Sequence, residues 1–185
     1  MHQIPRLSSG ARLAIPAAAL LACTFLATPA EAGGVASVAT GSFTHLHSPG
    51  SDGSLESYAS GAGVSLMVIE PDDELSLGGE LQATFLAGEG ERRVYDLGVS
   101  FIVSYGMDDN IAVPFMRLGL DLTGATAADL DQERARGVMT GVHGGAGLHG
   151  FLTKELYWRA EVGFLGAGPG GVTSRFSIGY NFGDF

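Results

Sequence analysis

The chain has 185 residues, with 10 basic and 20 acidic side chains and a formal net charge of −10 at pH 7. An acidic balance of this kind disfavours nucleic-acid binding, and we expect no nucleic-acid partner. Hydrophobic residues make up 45% of the chain and recur periodically, which excludes disorder, and the length allows one folded domain.

The first 32 residues have the pattern of a secretory signal peptide. Arg6 and Arg12 precede an apolar, alanine-rich run from Leu13 to Ala27, and Ala30-Glu31-Ala32 follows this run. The run is shorter than the roughly 20 residues that a membrane-spanning helix needs. We therefore expect residues 1–32 to be removed after export, leaving residues 33–185 as the folded domain.

Cys23 leaves a second interpretation of the amino terminus open. The sequence Leu20-Leu21-Ala22-Cys23 loosely matches the lipobox of bacterial lipoproteins, in which the cysteine would be lipidated. The residues after Cys23 stay apolar, whereas a lipoprotein usually begins with a polar tether, so removal of Cys23 with the signal peptide is favoured. The mature chain would then have no cysteine, which excludes disulfides, zinc-thiolate sites and thiol nucleophiles.

Eight strand-like segments follow, each bounded by glycine, proline or acidic turn residues. Within them apolar residues alternate with small or polar ones, as in strands whose two faces meet different environments. Short connections alternate with longer ones, which is typical of an outer-membrane barrel with periplasmic turns and external loops. The predicted strands are Val35–Leu46, Ser57–Glu70, Glu74–Leu86, Arg93–Gly106, Ile111–Thr123, Gly137–Leu152, Glu155–Leu165 and Val172–Phe182.

The apolar face of these strands is long and rich in aromatic residues. A lone hairpin could not bury such a face, so it needs lipid or a second protein layer. Aromatic residues concentrate toward the strand ends, as in two interfacial girdles. The expected periplasmic girdle is Tyr105, Trp158, Tyr180 and Phe182, and the expected outer girdle is Tyr58, Phe85, Tyr95, Phe164 and Phe176.

Alternation alone does not distinguish a membrane barrel from a soluble, lipocalin-like barrel that holds an apolar ligand. The residues opposite the apolar face are mostly Gly, Ser, Thr and Ala with a few charges. Small side chains fit a narrow interior better than a solvated exterior, where more Lys and Glu would be expected. This composition favours the membrane barrel.

Two segments have the composition of a known class of barrel. They are the glycine-rich run Gly141-Val142-His143-Gly144-Gly145-Ala146-Gly147 in the sixth strand and the aromatic ending Tyr180-Asn181-Phe182-Gly183-Asp184-Phe185. The chain resembles the small outer-membrane β-barrel proteins of Gram-negative bacteria, the eight-stranded OmpA/OmpX-like class. The resemblance implies an all-β, eight-stranded antiparallel up-and-down transmembrane barrel in the outer membrane, with a structural or surface-interaction role. It also implies contact with outer-membrane lipid and recognition by the barrel assembly machinery through the strand ending at Phe185.

Two residues depart from the expected pattern. Phe185 is out of phase with Phe182, and a bulge at Gly183-Asp184 would restore the phase. Pro114 cannot donate a ladder hydrogen bond, and we expect it to mark where pairing begins after the Asp108-Asp109 turn.

A few charged residues fall on the inward face of the predicted strands at similar heights. An arginine that faced lipid at the bilayer midplane would cost roughly 2 to 4 kcal/mol, which favours the inward assignment. We interpret the set as a salt-bridge network that plugs the barrel; a charged constriction in a small-solute channel, or an acid/base site, is the alternative. The predicted interior charge network is Glu80, Arg117, Arg159, Glu161 and Arg175.

No pattern in the chain identifies a catalytic or metal centre. Some barrels of this class are lipid-modifying enzymes that use His, Ser and an acidic partner, but no serine follows His143 or His149 at a suitable spacing. We expect these two to be interior histidines with hydrogen-bond partners. His45, His47 and Asp52 make a weak metal site, and the acidic turns lack the spacing of an EF-hand. We therefore predict no catalytic residue, no cofactor and no metal, and regard the long loops as candidates for binding an extracellular partner.

Overall fold

The structure is a closed antiparallel barrel in which each of eight strands pairs with its sequence neighbours and the last pairs with the first. The computed structural model describes residues 34–49, 52–72, 74–90, 92–106, 111–126, 137–168 and 170–183. The predicted signal peptide and the predicted terminal Phe185 lie outside these residues. No helix within them is long and apolar enough to cross a membrane.

All eight predicted strands are confirmed, with ends that shift by up to three residues. The largest extensions are at the loop side of the first and fifth strands, where residues 47–49 and 124–126 continue the ladder. The strands are β1 Ala36–Pro49, β2 Leu55–Glu70, β3 Leu75–Ala87, β4 Arg93–Tyr105, β5 Val113–Thr126, β6 Gly137–Phe151, β7 Leu156–Leu165 and β8 Gly171–Asn181.

The pairing register gives the barrel its tilt. Starting at Leu46 in β1 and following the paired residues through β8, β7, β6, β5, β4, β3 and β2 leads back to β1 at Ala36. The offset is 46 − 36 = 10 residues, so the strands are strongly inclined to the barrel axis. Because the offset is even, inward positions of one strand pair with inward positions of the next all the way round.

The outward face is apolar across the strands. Leu118 and Leu120 of β5 are 60% and 64% exposed, and Phe176 and Ile178 of β8 are 50% and 53% exposed. Ten charged side chains lie within the strands, and seven of these are buried. The remaining three lie at or beside strand ends: Glu56, Glu70 and Arg93.

Most of the predicted girdle residues face outward, but Tyr58 does not. The register shifts between Leu46 and His47, so that Tyr58 and Ala59 of β2 together oppose Leu46 and both turn inward. Such a bulge puts two consecutive side chains on one face, and sequence alternation cannot reveal it. The prediction for Tyr58 was wrong for this reason. Phe176 does face outward, yet it pairs with Phe43 in the middle of β8 rather than near its outer end.

Pro114 lies where the sequence analysis placed it. It faces outward near the start of β5, and the β4–β5 ladder begins one residue later, at Phe115 paired with Ser104. Pro114 is paired on its other side with Leu148 of β6. The missing N–H therefore does not interrupt the β4–β5 ladder.

Asn181 fastens the junction between the last strand and the first. Its side-chain Oδ1 accepts from the backbone N–H of Ser37 at 3.0 Å and of Gly183 at 3.1 Å, and its Nδ2 donates to the carbonyl of Lys154 at 3.0 Å. The bonds tie β8 to β1 and to the β6–β7 connection, all at the end of the barrel that carries the short turns. We call this the turn end, and the opposite end the loop end.

Apolar clusters fill the interior at both ends. The cluster at the turn end consists of Ala36, Val38, Met67, Ile69, Ile102, Val113, Phe115 and Tyr157. The cluster at the loop end consists of Leu46, Tyr58, Ala59, Leu86, Val94 and Leu165. The buried charges lie between these two clusters.

Candidate functional site

The charged layer nearest the turn end is built around Arg159 of β7 and Glu80 of β3. Arg159 donates from Nη1 and Nη2 to the two carboxylate oxygens of Glu80, at 3.0 and 2.6 Å. Both side chains are fully buried, and the guanidinium lies over the Phe115 ring at 5.8 Å. A two-point contact of this kind fixes the orientation of both groups across the lumen.

Arg117 of β5 links the same layer to β7. Its Nε donates to Glu161 at 2.7 Å, and its Nη1 lies 3.7 Å from Glu80. Arg159 also approaches Glu161 at 3.8 Å. The structure thus brings Glu80, Arg117, Arg159 and Glu161 of the predicted network into mutual contact.

Arg175 of β8, the fifth predicted member, joins the others through an amide. Arg175 donates from Nη1 to Oε1 of Gln82 and from Nε to Thr44, the latter at 3.2 Å. The same Oε1 of Gln82 also accepts from Arg117 at 2.9 Å. The amide nitrogen of Gln82 in turn donates to Asp96 at 3.1 Å. Gln82 therefore connects the arginine layer with the acidic residues nearer the loop end.

Asp96, Asp121 and His143 form a second level of buried polar groups. Asp96 accepts from Gln82 and from Thr123 Oγ1 at 3.0 Å. Oδ2 of Asp121 and Nδ1 of His143 are 3.9 Å apart. In the described part of the chain, neither of these two side chains has a hydrogen bond. The expectation of partnered interior histidines was therefore wrong for His143.

His149 behaves differently from His143. Its Nδ1 shares a hydrogen bond with Tyr157 Oη at 2.9 Å, and its ring packs on Phe115 at a centroid distance of 4.7 Å. It thus packs against Phe115 and Tyr157 of the apolar cluster at the turn end.

Two glycines make room for the His143 ring. A Cβ at Gly98 would lie 2.8 Å from its Cε1, and a Cβ at Gly119 would lie 2.8 Å from its Nε2. The ring therefore occupies a slot between β4 and β5 that any larger residue at these positions would close.

The second level was not anticipated from sequence, although each member is in the inward phase of its strand. Asp96, Asp121 and Gln82 carried no motif, and only the pairing between strands shows that Asp96 and Asp121 lie near His143, with Gln82 between them and the arginines. The strands bury four carboxylates and three arginines. The carboxylates are Glu80, Asp96, Asp121 and Glu161, and the arginines are Arg117, Arg159 and Arg175. The excess carboxylate is at the second level.

The histidine pair near the loop end of β1 faces outward. His45 Nδ1 makes a short hydrogen bond with Ser60 Oγ, and the His45 and His47 rings meet edge to face at a centroid distance of 4.4 Å. Among the described residues, no carboxylate forms an ion pair with His45, and no group of three metal-ligating side chains occurs. Asp52 instead accepts two hydrogen bonds from Ser54, which lower the pKa of its carboxyl.

Comparison with known proteins rests on structure alone. No protein-family model and no curated protein matches the chain. The N-terminal β-barrel domain of OprF from Pseudomonas aeruginosa superposes with a TM-score of 0.55 at 18% identity, covering 80% of this chain and 99% of that domain. Ail, the attachment invasion locus protein of Yersinia pestis, superposes with a TM-score of 0.54 at 14% identity, covering 81% of this chain and 99% of Ail.

The chain has the fold of the small eight-stranded outer-membrane barrels. Ail in complex with the heparin analogue sucrose octasulfate gives a TM-score of 0.52 at 16% identity, again over 81% of this chain. At these identities the likeness concerns the fold. The predicted fold class is confirmed by it and by the closed barrel itself.

Proposed function

We propose that this chain is an integral outer-membrane β-barrel protein whose role is structural or is exercised through its external loops. The observation that carries the proposal is the distribution of charge between the two faces. Apolar side chains cover the outside of the barrel, whereas seven of the ten charged strand residues are buried inside it. A soluble barrel has the opposite arrangement, since its exterior must be solvated.

The described residues support no enzymatic role. A hydrolytic site would need a nucleophile, a base and an acid that orients the base. His45 and Ser60 are hydrogen bonded, but no described carboxylate pairs with His45. Inside the barrel, the buried carboxylates and arginines lie between two apolar clusters, one toward each end of the lumen.

The same packing argues against a diffusion channel. Eight strands enclose a space that side chains nearly fill. Here Arg159 and Glu80 bridge the lumen directly, and apolar residues close it above and below. We therefore place the function at the outer surface and the loops.

Three further parts of the proposal concern export and partners. Residues 1–32 would direct export, the strand ending at Phe185 would be recognised by the barrel assembly machinery, and the long loops at 47–56 and 124–136 would meet an extracellular partner. For the loops, the support is that β1 begins and β8 ends at the turn end, so the strands that bound the long connections meet them at the opposite end.

A membrane-fraction gel tests the proposal. The expressed precursor is fractionated, the membranes are washed with carbonate, and boiled and unboiled samples are compared. We expect the chain to stay in the membrane pellet and to change mobility on boiling, because a closed barrel resists detergent until heated. Complete extraction by carbonate with no mobility change would instead indicate a soluble barrel.

A further inference from the structure

One polar patch interrupts the outward apolar face near the loop end. His45 of β1 faces outward in phase with Phe43, and its two cross-strand neighbours are Ser60 of β2 and Ser174 of β8. Polar side chains facing hydrocarbon are costly unless they have a partner. Ser60 occupies Nδ1 of His45, and Nε2 carries no hydrogen bond within the described part of the chain.

A groove on the outside of the barrel begins at this patch. It has a volume of about 460 Å³ and runs over β1, β8, β7 and β6. Small outward residues form its floor and aromatic or branched residues form its walls. The floor is Ala146 and Ala160, and the walls are Phe43, Phe176, Leu148 and Val162.

Along the groove, polar side chains lie at one end and apolar side chains follow, which matches the head group and acyl chain of a lipid. His45 and Ser174 lie toward the loop end, and the apolar floor lies nearer the middle of the strands, where the register pairs Ala146 with Val162 and Ala160 with Phe176. Imidazole and hydroxyl groups suit the oxygens of a phosphate or an ester, and the groove below them suits a hydrocarbon chain. The described lining contains no outward-facing carboxylate that would repel a phosphate.

We propose that this groove binds one phosphate-bearing acyl lipid of the outer leaflet. An acyl chain lies over Ala146 and Ala160, and the polar head accepts a hydrogen bond from Nε2 of His45, with His47 beside it. The proposal rests on the proposed membrane location, because it assigns the patch a partner that only a bilayer supplies.

Trp158 is a natural reporter for this site. It is the single tryptophan of the chain, and it is the next outward residue after Ala160 on β7, toward the turn end. A bromine atom on an acyl chain quenches tryptophan fluorescence on contact. We would therefore titrate phosphatidylglycerol with brominated acyl chains into the folded full chain in non-ionic detergent micelles.

We expect quenching to saturate near one lipid per barrel. Ala146→Phe, which fills the groove, and His45→Leu, which removes the polar contact, should each weaken the apparent affinity about tenfold, the scale of one lost hydrogen bond or apolar contact. Ala83→Phe makes the same substitution on the outward face of β3, beyond the groove, and should bind as the unaltered chain does. All three positions face outward, so the interior packing is preserved.

Quenching that rises in proportion to the lipid in the micelle, equally in all four chains, would overturn the lipid site. Each sample is first checked by its mobility shift on boiling. A chain that shows the shift but no saturation contradicts the lipid site alone. A chain that shows no shift and stays soluble without detergent contradicts the membrane location as well.

Discussion

The two levels of buried charge inside the barrel differ in how their charges are matched. At the level nearer the turn end, Arg159 and Glu80 face each other with two hydrogen bonds, and Arg117 joins Glu161 at 2.7 Å. At the level nearer the loop end, Asp121 and His143 are equally buried but are 3.9 Å apart with no hydrogen bond in the described residues.

The contrast shows that burial of a charge is not evidence of its contribution to stability. A buried pair with both partners in place roughly offsets the cost of burying its two charges, whereas removing one partner leaves an uncompensated charge in a low-dielectric interior. A buried charge that lacks a partner already bears that cost. The same kind of substitution should therefore have opposite effects at the two levels.

Glu80→Gln should have the largest effect. It leaves Arg159 facing a neutral amide in a fully buried position, and we expect a loss of about 3 to 5 kcal/mol in the free energy of unfolding. Urea titration of the folded barrel in vesicles, followed by its mobility shift on boiling, measures the change. Adding Arg159→Met to the same chain should recover much of the loss, and no recovery would mean that the pair is not the cause.

Leu118→Arg should cost about 2 to 4 kcal/mol, the penalty for an arginine facing lipid near the midplane. Leu118 is adjacent to Arg117 in β5 but faces outward, with 60% of its surface exposed. The same residue type is thus placed one position from a buried arginine and on the opposite face. Leu118→Phe serves as the control and should unfold as the unaltered chain does. Equal stability for the arginine variant in vesicles would contradict the assignment of that face to lipid.

Gln82→Leu should separate the two levels. It removes the acceptor shared by Arg117 and Arg175 and the donor to Asp96, and unsatisfied buried groups of this kind cost about 1 to 3 kcal/mol. Gln82→Glu keeps an acceptor for the arginines but replaces the donor to Asp96 with a carboxylate. It should retain the arginine contacts while weakening the second level. A leucine variant of unchanged stability would show that Gln82 does not connect the levels.

Asp121→Asn should have the smallest effect, and of the opposite sign. It removes the excess buried carboxylate, so stability should be unchanged or should rise by about 1 kcal/mol, given the cost of an unpaired buried polar group. The matched comparison is Glu80→Gln, which also replaces a carboxylate with its amide. A loss of stability at Asp121 as large as that at Glu80 would show that Asp121 has a strong partner and would remove the contrast between the levels.

The fold was predictable because alternation is a local property of the sequence. Once β4 is recognised as a strand, alternation alone puts Tyr95, Leu97, Val99 and Phe101 on one face. The turn residues then mark where each strand begins and ends. The five interior charges were predicted in the same way, from their phase alone. What could not be predicted depends on pairing between strands.

Three particulars show this dependence. Tyr58 turns inward because of a bulge opposite Leu46, and a bulge has no signature in alternation. Asp121 and His143 meet because β5 pairs with β6 in one register out of several that preserve the faces. Gln82 connects the two levels only because the inclined strands bring it to a height between Arg117 and Asp96.

The most direct test of the account is to measure what surrounds the outward face in a bilayer. In a chain with Cys23 replaced by alanine, single cysteines at Leu97, Phe101 and Leu118 are given nitroxide labels, with Glu89 in the β3–β4 loop as the water-exposed reference. The chain is folded into phospholipid vesicles, and collision of each label with oxygen and with a water-soluble nickel complex is compared. We predict that the three strand labels collide with oxygen and are shielded from nickel, whereas Glu89 shows the reverse. Nickel collision at Phe101 equal to that at Glu89 would contradict a lipid-facing barrel.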